Sequence, residues 1–291
     1  MTAETFVHPL LSGPGTQLSP RFVQDYDLGA ARMILAVGSQ LEQTADPSSD
    51  IDVLAVFGGP PPQSVPAAGV VDMRTLLGPN WIGWFDTTAG RREVNVECLS
   101  VEALHRMGEQ LAPEFGPHRA PLLQALEVRT LSRLRTALPL APDDAHTELD
   151  RLRDALHLDR LGAFVALVNV VGGESYLRLA EGRIDDPLGC HIALSSVVEG
   201  ILLSSLALDG RVLYDLKKIS AVLRRAADDR LDPTLDLTEV TAMLTSANPA
   251  AHVSRARQAL AAVRDRIASR AALGPGVWAE VHAALQAPVA P

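Results

Sequence analysis

The sequence predicts an α+β protein, in which a small mixed β-sheet with flanking helices is followed by an all-helical domain. Short apolar runs typical of strands, such as residues 32–37 and 50–57, occur only in about the first hundred residues. From residue 121 onward, apolar residues recur at helical spacing over long segments. The chain has 291 residues, of which 47% are hydrophobic, so it is long enough for two ordinary domains.

Each predicted element follows from local signals. Ser19-Pro20 is typical of a helix start, and residues 20–30 form the first predicted helix. A loop is expected at residues 58–64, because three consecutive prolines do not fit inside a sheet. Ser100 is expected to cap a helix. The predicted strands are 32–37, 50–57, 70–73, 81–87 and 92–99, and the later helices are 121–136, 145–172, 188–208, 212–228, 251–270 and 276–286.

These elements give three expected regions. Residues 1–19, rich in Pro, Gly, Ser and Thr, form an irregular N-terminal arm; residues 20–118 form the sheet domain; and residues 119–291 form the helical domain.

Charge and cysteine content exclude several classes of protein. The net charge of -9 disfavours long nucleic acid as a partner, because phosphate contacts dominate that binding. The two cysteines, Cys98 and Cys190, lie far apart and have no zinc-ligand spacing.

The most apolar segment, 192–208, carries Glu199, is short for a membrane span and is expected to be buried core. With no signal peptide in the N-terminal residues, we expect a cytoplasmic protein without a membrane partner.

The most informative stretch contains Gly38-Ser39 and, shortly afterwards, Asp50-Ile51-Asp52. An apolar strand leads into the Gly-Ser turn, and a second apolar strand begins with the two carboxylates. Because strand side chains alternate, Asp50 and Asp52 share one face at a separation of roughly 6–7 Å. Two such carboxylates suit hard cations such as Mg²⁺, and a Gly-Ser turn beside them suits phosphate groups.

This pattern resembles the nucleotidyltransferase superfamily related to DNA polymerase β, which includes antibiotic-modifying and minimal nucleotidyltransferases. Val37-Gly38-Ser39, the following gap and Asp50-Ile51-Asp52 match the family motif, and the resemblance covers about the first hundred residues. It implies transfer of a nucleoside monophosphate from an NTP to a hydroxyl, with release of pyrophosphate. It also implies two Mg²⁺ ions held by Asp50 and Asp52, with phosphates bound at Gly38 and Ser39.

The family mechanism implies a third carboxylate on a neighbouring strand, and residues 92–99 supply the candidates. Glu93, Asn95 and Glu97 alternate onto one face of this strand. We expect Glu97, which is flanked by apolar residues, to act as catalytic acid and metal ligand, with Glu93 as the alternative. A register that places Asn95 at the acid position predicts a weak or inactive enzyme, because an amide is not a base.

The helical domain contains a second, shorter resemblance. Arg211, Tyr214 and Lys218 resemble a nucleotide-contacting pattern found in helical domains of this superfamily. Tyr214 and Lys218 share a helix face, so Lys218 could meet a triphosphate, although a solvated surface lysine is equally compatible with the pattern.

The acceptor is less defined by the sequence. We expect a small molecule with a hydroxyl group, such as an antibiotic-like compound or a biosynthetic intermediate. The alternatives are a protein side chain, as in toxin-antitoxin adenylyltransferases, and a tRNA 3′ end, which the negative charge disfavours. A non-catalytic alternative is a nucleotide-binding regulatory module. ATP, CTP, GTP and UTP are equally compatible with the sequence.

Overall fold

The computed structural model describes residues 10–12, 17–41, 49–62, 71–72, 80–87, 90–112, 125–142, 144–213 and 237–269. The chain divides into two compact units. The sheet unit comprises residues 1–109 and 130–157, and the helical unit comprises residues 110–129 and 158–291.

The sheet unit is built on a mixed sheet, which confirms the predicted α+β class. The six strands of the described sheet lie in the order β5-β6-β7-β4-β3-β8. They are β3 (Ala31–Val37), β4 (Ile51–Phe57), β5 (Val71–Asp72), β6 (Asn80–Thr87), β7 (Gly90–Ser100) and β8 (Leu138–Ala141). A separate short hairpin, β1 (Leu11–Ser12) with β2 (Gln17–Leu18), lies in the region predicted to be an irregular arm.

One pair of strands in this sheet is parallel. Strand β4 runs parallel to β7, whereas the β3–β4, β3–β8, β5–β6 and β6–β7 pairs are antiparallel. Because β4 and β7 run in the same direction, the beginnings of both strands lie at the same end of the sheet.

The two faces of the sheet differ in chemistry. Ile51, Val53 and Ala55 of β4 pack into an apolar core with Val94 and Val96 of β7. The first helix, α1 (Pro20–Asp25), contributes further members of this core. The residues between these positions, which include the predicted site carboxylates, therefore lie on the opposite face.

The other helices of the sheet unit are α2 (Val101–Gly108) and α4 (Ala145–Ala155), together with the end of α3 (Ala125–Thr136), which crosses the boundary between units. Ser100 caps α2 as predicted, because its hydroxyl accepts a hydrogen bond from the Ala103 amide at 3.1 Å.

The helical unit contains α5 (Leu161–Glu181), α6 (Pro187–Leu208), α7 (Leu237–Thr245) and α8 (Val253–Ser269). Helices α5 and α6 approach closely at Gly200, where a Cβ would lie 2.7 Å from the Asn169 carbonyl oxygen. Residues Leu158–Glu181 and Pro187–Leu208 are long and apolar enough to cross a membrane. The most apolar windows of these segments are 50% and 72% buried, respectively, and core helices of soluble proteins pass the same test.

The structure differs from the predicted organisation in the middle of the chain. Residues 130–157, expected in the helical domain, belong to the sheet unit because β8 pairs with β3. The helix expected over residues 145–172 is interrupted, with α4 ending at Ala155 and α5 beginning at Leu161. His157, with φ of +52°, is the point at which helical geometry ends, since a left-handed residue cannot continue a right-handed helix.

Candidate functional site

The Gly38-Ser39 turn lies beside Asp52. Strand β3 ends at Val37, which pairs with Asp52 of β4, so the turn begins one residue beyond this pair. Gly38 has a φ of +81°, and a Cβ at this position would collide with Asp52 Oδ2. Glycine is therefore required both by the backbone conformation and by the close approach of the carboxylate.

Two buried polar atoms beside these residues lack hydrogen-bond partners among the described residues. The Ser39 hydroxyl oxygen is buried and has no hydrogen-bond partner within the described ranges. The same is true of the Asn95 side-chain oxygen, although the Asn95 amide nitrogen donates to Asp52 Oδ1 at 3.4 Å. Buried polar atoms are usually paired, and a ligand bound beside these two atoms would complete their hydrogen bonds.

Asp50 and Glu93 both lie next to the start of the parallel β4–β7 ladder. Ile51 pairs with Val94 and Asp52 pairs with Asn95 in the parallel β4–β7 ladder. Asp50 and Glu93 each precede the first of these pairs, and both are partly exposed. No described side chain forms a hydrogen bond or ion pair with either carboxylate. Asp52, Glu93 and Asn95 thus occupy positions on one sheet face, and Asp50 directly precedes β4.

Glu97 lies deeper on this face and is held by two residues of α3. The Thr130 hydroxyl donates to Glu97 Oε1 at 3.0 Å, and Arg133 Nη1 donates to Glu97 Oε2 at 3.2 Å. Arg133 Nη2 donates to Asp52 Oδ1 at 2.8 Å, so one guanidinium joins both carboxylates. The side chains of Arg133, Asp52 and Glu97 are 10%, 7% and 2% exposed, respectively.

This network bears on Glu97, the predicted third acid. Both Glu97 oxygens accept hydrogen bonds from α3, and Glu97 pairs in register with Leu54 rather than with an aspartate. Asn95 is the register partner of Asp52, and Glu93 lies two residues earlier in β7. The assignment of Glu97 as the third acid, with Glu93 as the alternative, therefore stays a prediction.

Metal ligation was predicted for Asp50, Asp52 and Glu97. Within the described ranges, no three His, Cys, Asp or Glu side chains are arranged to hold a metal ion. Arg133 forms ion pairs with both Asp52 and Glu97, and its positive charge offsets the negative charges of the two carboxylates. The metal assignment therefore stays a prediction.

Cys98 lies next to Glu97 in the sequence, but its side chain belongs to the apolar core. Burial raises the pKa of its thiol from 9.0 to about 12, and the negative charge of Glu97 adds to this effect. The thiol therefore remains protonated at neutral pH and is not available as a nucleophile.

Two predicted nucleotide contacts, Tyr214 and Lys218, lie outside the described residues. Sequence reasoning missed Thr130 and Arg133, although both fall within the predicted 121–136 helix. The available signal was weak: Arg133 is one of three arginines in α3, and only the contacts distinguish it.

Comparisons with known proteins identify a distant structural likeness. No family profile matches the sequence, and no curated protein matches it significantly. Among solved structures, the chain is similar to a nucleotidyltransferase-like protein from Exiguobacterium sibiricum, with 13% sequence identity and a TM-score of 0.36. The alignment covers 83% of this chain and 70% of that chain. This likeness is too distant to support an argument about function.

Proposed function

We propose that the protein is a Mg²⁺-dependent nucleotidyltransferase that transfers a nucleoside monophosphate from an NTP to a hydroxyl group. The observation that carries the proposal is the buried Ser39 hydroxyl, which has no partner in the described part of the chain and lies in a turn directly beside Asp52. A phosphate oxygen would supply the partner that Ser39 lacks, and backbone amides of a turn suit the same anion.

The residues on this face fit a magnesium ion by donor type. Asp50, Asp52 and Glu93 offer carboxylate oxygens, and the unpaired Asn95 oxygen is a further hard ligand. We assign metal binding to Asp50 and Asp52, with Glu93 as the third acid in place of Glu97. When bound, Mg²⁺ would neutralise the triphosphate and lower the pKa of the acceptor hydroxyl.

The protein side chains have distinct roles in the proposed reaction. Ser39 orients the phosphates, while Gly38 permits close approach of the backbone. The acceptor oxygen attacks the α-phosphorus, the bond between the α-phosphorus and the bridging oxygen breaks, and pyrophosphate leaves. Glu93 accepts the proton of the acceptor hydroxyl, because its carboxylate faces the site without a described protein partner.

For the acceptor, we propose a small molecule with a hydroxyl group. The net charge of -9 favours a small, cationic acceptor over nucleic acid. A protein side chain is the alternative acceptor, and both require the same catalytic residues.

A second candidate function is nucleotide binding without transfer. The Arg133 contacts favour it, because they neutralise Asp52 and Glu97 with a protein cation. Asn95, opposite Asp52, also stands where an acid would strengthen a catalytic site.

The test is to incubate the protein with Mg²⁺ and each of the four NTPs, with and without hydroxyl acceptors, and to measure released pyrophosphate. Asp50→Asn and Glu93→Gln should each lower turnover by about 10²-fold or more. Glu102→Gln is a matched control, since Glu102 is an exposed carboxylate of α2 paired with Arg106.

Normal turnover in both site variants would refute the assigned residues. If Glu97→Gln eliminates turnover while Glu93→Gln does not, the third acid is Glu97. NTP binding without pyrophosphate release, across all acceptors, would support the second candidate function.

A further inference from the structure

We propose that Arg133 is a built-in cation that competes with a divalent metal ion for Asp52, so that metal binding depends on the nucleotide. The metal's role in this inference rests on the proposed function. The guanidinium contacts Asp52 at 2.8 Å and Glu97 at 3.2 Å, and all three side chains are almost completely removed from solvent.

Charge and burial explain why these carboxylates need a cation. A buried carboxylate without a counter-charge is strongly unfavourable, and two neighbouring carboxylates repel each other. Arg133 offsets both effects, because an arginine stays protonated and its planar donors can reach two acceptors. In the proposal, the guanidinium takes the place between Asp52 and Glu97 that a metal ion would otherwise take, so the two cations compete.

Glu97 positions this cation. Its Oε1 is fixed by Thr130, and its Oε2 accepts from Arg133. The pair therefore holds the guanidinium at Asp52 Oδ1. In this arrangement Glu97 acts through Arg133 and not on the reacting atoms.

The consequence concerns the order of binding. With Asp52 already neutralised by Arg133, a free divalent ion gains little attraction from it and binds weakly. An NTP brings phosphate oxygens as additional ligands and can also accept hydrogen bonds from a guanidinium. Metal and nucleotide should therefore bind together, and nucleotide should raise metal affinity.

The test uses direct binding of Mn²⁺, a Mg²⁺ substitute, to the full chain without nucleotide, measured by electron paramagnetic resonance. Arg133→Gln should bind Mn²⁺ about tenfold more tightly than the wild type, because an opposite charge at this distance changes carboxylate affinity by about that factor or more. Arg133→Gln combined with Glu97→Gln should lose most of the gain. Arg133→Lys, which keeps the charge, should stay within about threefold of the wild type.

Arg153→Gln is the matched control, since Arg153 also joins elements of the sheet unit through the carbonyl oxygens of Leu134 and Ala137. Its Mn²⁺ affinity should equal that of the wild type. If Arg133→Gln is unfolded without metal, Mn²⁺ should restore its circular dichroism spectrum and thermal transition. Failure of Mn²⁺ to do so, or a folded variant with unchanged or weaker Mn²⁺ affinity, would overturn the proposal.

This readout separates the inference from the proposed function. A gain in Mn²⁺ affinity without pyrophosphate release under any condition would support the competing cation and count against transfer. Transfer activity lost in Asp50→Asn, together with unchanged Mn²⁺ affinity in Arg133→Gln, would support transfer and reject the competing cation. Added NTP should also raise wild-type Mn²⁺ affinity, and no rise would refute the binding order.

Discussion

Replacing Gly38 by alanine tests both the left-handed backbone of the turn and the close packing of the Asp52 carboxylate against it. The residue has a φ of +81°, and an added Cβ would lie 2.8 Å from both Cβ and Cγ of Asp52 as well as colliding with Oδ2. Two penalties therefore act at once: a left-handed backbone for a residue with a side chain, and displacement of the Asp52 carboxylate from Arg133.

The magnitude follows from these two terms. Left-handed geometry costs about 1–2 kcal/mol for an alanine. Inserting a methyl group into a filled space costs about 1–3 kcal/mol. We expect the free energy of unfolding of the sheet unit to fall by about 3 kcal/mol, which corresponds to a drop in Tm of roughly 6–12 °C.

The assay is thermal denaturation followed by circular dichroism, together with NTP binding by isothermal titration calorimetry. Gly29→Ala is the control, because nothing lies within 4 Å of a Cβ at that position and its φ is not left-handed. It should change stability by less than about 0.5 kcal/mol. If Gly38→Ala has the same Tm as Gly29→Ala and binds NTP normally, the turn does not require glycine at position 38, and the reasoning from the close approach of Asp52 is refuted.

Three further predictions concern single atoms. Ser39→Ala should leave Tm unchanged or slightly higher, since its buried hydroxyl has no described partner, yet lower NTP affinity by about tenfold in calorimetry. Normal NTP affinity would remove Ser39 from the phosphate site. Tyr26→Phe should raise the free energy of unfolding by about 1 kcal/mol in urea titrations, because the Tyr26 hydroxyl is also buried without a described partner. The pKa of Cys98 is raised from 9.0 to about 12, so an unfolded chain loses this proton before the folded protein does. Stability should therefore fall between about pH 9 and 12, and urea titrations at pH 8 and 10.5 should show a smaller fall in Cys98→Ala than in the wild type.

Local patterns in the sequence were sufficient for much of the sheet. The alternation of apolar residues predicted β3 and β4 to within one residue, and the serine at position 100 predicted the start of α2. These features are local, since alternation and capping depend on neighbours within a few residues. The predicted shared face of Asp50 and Asp52 rests on the same alternation.

Pairing between strands that are far apart in the sequence was harder to predict. Strand β8 is short and contains a proline, so its pairing with β3 carries little sequence signal. The register of β7 against β4, which pairs Asn95 with Asp52, is not specified by any property of either strand alone. Arg133 was missed for a related reason, because its contact with Asp52 joins residues 81 positions apart.

The parallel pairing of β4 with β7 has a consequence for folding kinetics. The hairpins β3–β4 and β6–β7 join neighbouring segments, whereas Asp52 and Asn95 meet across 43 residues of chain. Contacts of high sequence separation form later, because closing a long loop costs entropy before the contact is made. We expect nucleotide affinity to arise only after β4 and β7 have paired, so that a fluorescent NTP analogue added during refolding would report this pairing and not the initial hydrophobic collapse.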